Sequence, residues 1–74
     1  MKIEDLKIVV ASDVHERDGI GIKFYYHDNL IIDIFRDDSE RTRTVTLFEK
    51  SIPFEIIEYA IEKFKSEIPI EFIN

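Results

Sequence analysis

The chain contains no cysteine, which excludes disulfides, thiolate nucleophiles and cysteine-ligated metals. Only two prolines and two glycines interrupt its 74 residues. No stretch is rich in linker residues or low in complexity, so one compact domain over 1–74 is expected. Positive charge is also scarce. Ten lysines and arginines stand against 16 aspartates and glutamates, a formal charge of −6. That balance disfavours unspecific adhesion to nucleic acid or to an anionic membrane and favours basic partners. No apolar run has the length of a membrane span or the flanks of a signal peptide, and the cytoplasm is the expected compartment.

What is present is a regular alternation of apolar and polar residues. Three strand-like runs occupy the centre: Ile20 to Tyr26, Leu30 to Arg36 and Arg41 to Phe48. Their separators, His27-Asp28-Asn29 and Asp37-Asp38-Ser39-Glu40, hold residues that favour tight turns, so two adjacent hairpins are expected. Ile20, Ile22, Phe24 and Tyr26 share one parity, Leu30, Ile32 and Ile34 another, and Val45 and Leu47 continue the apolar row on the third strand. Toward the N-terminus two periods compete. Ile3, Leu6, Val10 and Val14 recur at helical spacing, whereas Leu6, Ile8, Val10, Ser12 and Val14 alternate as a strand does. The β-branched cluster Ile8-Val9-Val10 and the Asp18-Gly19 pair favour a strand from Leu6 to Val14, joined to the next through Glu16 to Gly19.

From Pro53 to Glu67 the period changes to that of a helix. Phe54, Ile57, Ala60, Ile61, Phe64 and Ile68 form an apolar stripe opposite Glu55, Glu58, Glu62 and Lys65. Pro53 suits the first turn, Ser51 is the candidate cap, Glu55 complements the positive helix end, and Ile68-Pro69 ends the segment. The expected fold is α+β: a small antiparallel four-stranded meander packed on a C-terminal helix, ββββα. The runner-up is αβββα. One helix covers one face of such a sheet and leaves Lys23, Tyr25, Ile31, Asp33, Phe35, Thr42, Thr44, Thr46 and Phe48 on the other.

The chemistry-bearing residues do not assemble into a motif. The carboxylates from Asp28 to Glu40 lack the spacing that gives two acids opposed roles across a reacting bond, and Asp37 to Glu40 reads as a solvated turn rather than a metal loop. His15-Glu16-Arg17 lacks the second histidine of a zinc-protease helix, and His27 has no local partner. The serines lack a histidine-plus-acid constellation, and Gly19-Ile20-Gly21 is no phosphate loop. Catalytic residues, metal ligands and cofactors are therefore not expected. Arg36, Arg41 and Arg43 with nearby aromatics would suit a base-stacking surface, but amid the surrounding acids Arg41 and Arg43 are expected instead to pair with Asp37, Asp38 or Glu40 across the turn.

The remaining signal is an interface. Tyr25, Asp33, Phe35 and Phe48 on the second sheet face, with Glu55, Glu58 and Glu62 on the helix, are the expected contact residues. The leading expectation is a non-enzymatic interaction domain that binds a basic protein, with steric or electrostatic inhibition as one mechanism. In small size, acidity and enzyme-free plan the chain resembles bacterial toxin-immunity proteins, a resemblance of general organisation that transfers no residue roles. The alternative is a structural homo-oligomerisation domain whose mixed sheet face packs on a second copy.

Overall fold

The computed structural model describes residues 1–15 and 17–73. After a single 3-10 turn, Ile3–Asp5, four strands run in sequence: β1 (Leu6–Asp13), β2 (Gly19–Tyr26), β3 (Asn29–Asp37) and β4 (Thr42–Leu47). Each pairs antiparallel with the next in the spatial order β1-β2-β3-β4, and one helix, α1 (Phe54–Glu67), follows. This is the ββββα meander that the alternation implies. The strand period prevails over the helical one at the N-terminus because Val10 meets Ile22 and Ile8 meets Phe24 across the β1–β2 ladder. A helix there would have forfeited those pairings. The β1–β2 connection expected through Glu16 lies partly outside the described residues.

The turns follow from local chemistry. His27 and Asp28 both have positive φ, 50° and 67°, which makes the β2–β3 link a two-residue turn whose twist matches the strands. In the β3–β4 link the Asp37 carboxylate accepts from the Ser39 and Glu40 amides and the Ser39 hydroxyl. Arg41, at φ 56°, then reverses the chain into β4. Register slips once, between Phe24 and Tyr25.

The core lies between the sheet and α1. Ile22, Phe24, Ile32 and Ile34 meet Ile56, Ala60, Phe64 and Ile68, and all eight are buried. Two helix expectations need correction. Ile56 is buried, whereas Phe54 is 69% exposed and Ile61 37% exposed. The apolar residues span about 160° of the helix at 100° per residue, wider than the contact, so several rotations fit the sequence equally well. Small Ala60 and the flanking Ile56 and Phe64 set the actual one. Nor does Ser51 cap the helix: the cap position is Pro53, which has no side-chain donor or acceptor, and its carbonyl accepts from the Ile56 and Ile57 amides. The helix ends where Ile68 turns extended, its amide donating to the Phe64 carbonyl.

Candidate functional site

The residues available for contact follow from where α1 sits. It packs over the central strands β2 and β3 and leaves β4 at the open edge. Val45 and Leu47 lie in register beside Ile34 and Ile32 on the helix side of the sheet, yet they remain 48% and 50% exposed. Between β4 and α1 is a cavity of about 210 Å³ lined by Ile34, Val45, Ile61, Phe64 and Ile70, with the stems of Arg43 and Lys65. The expectation that one helix covers the whole face therefore fails at β4, because a helix about 10 Å wide does not span four strands spaced about 4.8 Å apart.

On the outer surface of α1, Glu55, Glu58 and Glu62 are all exposed along the side opposite Ala60. Lys65 approaches Glu62 at 3.9 Å, a loose exposed pair, and among the described residues no lysine or arginine forms an ion pair with Glu55 or Glu58. Phe54 stands beside this acidic row as the most exposed aromatic side chain of the helix. Acid and aromatic therefore share one surface, although the aromatic is not one that sequence reasoning chose.

The second sheet face has a different character. Phe35 is only 3% exposed, because its ring lies across Gly21 of the neighbouring strand and the Arg17 guanidinium stacks over it at 3.7 Å. A Cβ on Gly21 would sit 2.6 Å from that ring and 2.8 Å from the Ile34 carbonyl oxygen, so the glycine is what admits the aromatic. Asp33 is 7% exposed and lies between two cations, Arg17 at 3.5 Å and Lys23 at 3.6 Å. Tyr25 is half-buried, and Phe48, just beyond β4, is 51% exposed. The structure thus brings Asp33 and Phe35 together under Arg17, and it separates them from the row of Glu55, Glu58 and Glu62 on the opposite layer. Arg17 was the residue missed here. Only its three-dimensional return over β3 reveals it.

The three arginines also part company. Arg36 is 2% exposed, donates through Nε and Nη2 to the Asp38 carboxylate at 3.0 and 3.3 Å, and donates through Nη1 to the Pro69 carbonyl at 2.7 Å. Asp38 also accepts from the Ile73 amide at 3.0 Å. That amide, with the Arg36 guanidinium, holds the Asp38 carboxyl below its ordinary value. Arg41 and Arg43 stack on Phe72 at 5.0 and 4.2 Å, and Arg43 donates to the Ile70 carbonyl. Of the ion pairs expected for Arg41 and Arg43, the hydrogen-bonded partner of Asp38 is instead Arg36. The three side chains clamp the C-terminal tail to the sheet rather than forming one open basic patch.

His27 packs against Tyr26, ring centroids 4.1 Å apart, and His15 donates its amide to Asp13. Among the described residues, no group of three histidine, aspartate or glutamate side chains is placed to hold a metal ion. Among the same residues, no helix is long and apolar enough to cross a membrane. No family model, curated protein or solved structure matches this chain.

Proposed function

We propose that this domain is a non-catalytic interaction module that binds a basic protein surface through the outer face of α1. The observation that carries the reading is the exposed row of Glu55, Glu58 and Glu62 beside Phe54, on a chain of net charge −6. Carboxylates on a rigid helix raise the encounter rate with a basic partner, and a desolvated aromatic at their margin slows its departure. The basic surface supplies arginine or lysine to the glutamates and an apolar recess for Phe54. Inhibition by covering a basic active-site or nucleic-acid-binding surface is one mode of action open to such a module.

Affinity capture with the immobilised chain, in parallel with the E55Q/E58Q/E62Q variant and with F54A, tests this. Basic proteins should be retained by the parent chain, lost from the triple variant, and released faster from F54A, with retention falling as salt rises. Identical partner sets on all three baits would overturn the reading.

A further inference from the structure

We propose that the cavity between β4 and α1 is a binding site for an aliphatic monocarboxylate of medium chain length, whose alkyl tail enters the cavity while its carboxylate rests on the cations at the mouth. The walls set the first condition. Ile34, Val45, Ile61, Phe64 and Ile70 surround about 210 Å³, and Arg43 and Lys65 add their methylene stems, so that the atoms lining the space are apolar throughout. Water finds no partner there. Apolar cavities of about 150 Å³ stay dry and take up small hydrocarbons, and at about 30 Å³ per methylene-sized group this one holds roughly seven carbons.

The site is both open and preformed. Val45, Ile61 and Ile70 line it while each remains at least 37% exposed, so a tail enters between them without unfolding the domain. The C-terminal tail builds the end wall. Buried Arg36 donates to the Pro69 carbonyl at 2.7 Å and Arg43 to the Ile70 carbonyl at 2.7 and 3.0 Å, which pins the chain at two consecutive carbonyls. The Ile73 amide, donating to Asp38 at 3.0 Å, fixes the residues beyond. A wall held this way needs no ligand to take its shape.

Charge selects the head group. The chain carries −6 overall, yet Arg43 on β4 and Lys65 on α1 flank this mouth, and Arg41 shares the Phe72 ring with Arg43 beside it. Since the stems form wall, the charged ends of Arg43 and Lys65 lie outside it, where the head group of a ligand with its tail inside must sit. Lys65 is the more available of the two. Its side chain is 56% exposed, and its ion-pair partner Glu62 stands 3.9 Å away, so an incoming carboxylate has little to displace. An alkylammonium of the same length would bury the same tail and meet repulsion at the mouth. The site thus favours an anion on an otherwise acidic chain, and it stands independently of the contact proposed for α1.

Methyl-resolved NMR titrations of the full chain with octanoate, octylammonium and acetate at low salt test the proposal. Octanoate should shift the methyl signals of Val45, Ile61 and Ile70 saturably, octylammonium should bind about fivefold more weakly, and acetate, which has no tail, should leave them in place. Lys65→Glu changes an exposed position and should leave the fold intact by circular dichroism, while it weakens octanoate about fivefold and brings octylammonium to equal or greater affinity. Val45→Trp fills the cavity from its open side and should abolish the octanoate shifts at Ile61 and Ile70. Ile61→Phe, a smaller change at a second exposed wall position, should weaken octanoate in the same way at Val45 and Ile70. The proposal is overturned by the absence of saturable shifts at the three residues, by equal affinities of octanoate and octylammonium for the parent chain, by an unchanged preference in K65E, or by undiminished binding to the folded filling variants.

Discussion

Replacing Ile56 by alanine should destabilise the domain far more than replacing Phe54, although the phenylalanine deletion removes the larger group. Ile56 is 2% exposed and packs among Ile22, Phe24, Ala60 and Phe64 in the sheet–helix core, so its loss removes buried methyl groups and leaves a cavity that a small core fills poorly. Changes of this kind cost about 2–5 kcal/mol. Phe54 is 69% exposed, and the third of its surface that is covered corresponds to roughly 60 Å², or about 1.5 kcal/mol at 25 cal/mol per Å². The better helix propensity of alanine offsets about 0.5 kcal/mol of that. A domain of this length has a total stability of about 4–11 kcal/mol, so I56A approaches the limit of folding while F54A barely changes it. Urea titrations followed by far-UV circular dichroism at low protein concentration read the difference as a shift in midpoint at constant slope. Equal losses for the two variants, or a larger loss for F54A, would refute the helix rotation on which the contact surface proposed for α1 depends.

Gly21→Ala forces a methyl group against the Phe35 ring and the Ile34 carbonyl and should cost about 1–3 kcal/mol, read as a lower melting temperature. Arg36→Leu strands the Asp38 carboxylate and unclamps Pro69, so it should cost about 3 kcal/mol and raise amide exchange at Ile73, which can be followed by hydrogen–deuterium exchange. Acid should weaken the fold. Asp13, held low by the His15 amide, Asp37, held low by the Glu40 amide and Ser39, and Asp38, held low by the Ile73 amide and Arg36, all titrate below the ordinary aspartate value. The unfolded chain therefore takes up these protons first, so the stability they confer is complete above about pH 4–5 and is lost as pH falls through the depressed values. Urea midpoints that stayed constant between neutral pH and strong acid would contradict this.

The strands were legible in the sequence because apolar and polar residues alternate along them, although β3 is buried on both faces and β4 on neither; the spacing of Ile22 and Phe24, or of Ile32 and Ile34, is a local signal that tertiary packing reinforces. The helix was legible for the same reason, but its rotation was not. With Phe54, Ile56, Ile57, Ala60, Ile61 and Phe64 all apolar, periodicity bounds an arc without choosing its centre. Arg36 shows a different limit. A charged residue between Phe35 and Asp37 reads as solvent-exposed, and its burial depends on Asp38 together with a tail carbonyl 33 residues away. Phe35 was placed correctly on the second face, but its cover, Arg17, is 18 residues distant and comes from the loop beyond β1. The acidic row of Glu55, Glu58 and Glu62 was legible outright, since exposed charges on a helix need no tertiary partner, whereas Phe54 was assigned to the core and emerges beside that row.

Site-specific photo-crosslinking would test the proposed function most directly. A photoreactive phenylalanine analogue would replace Phe54, Glu58 or Glu62 on α1, and Lys7 or Thr44 on the second sheet face, with crosslinked species identified by mass spectrometry. Positions 54, 58 and 62 should crosslink to the same basic protein in a salt-sensitive manner, and positions 7 and 44 should not. Crosslinks to a partner only from the sheet face, or none from α1 to any basic protein, would contradict the account.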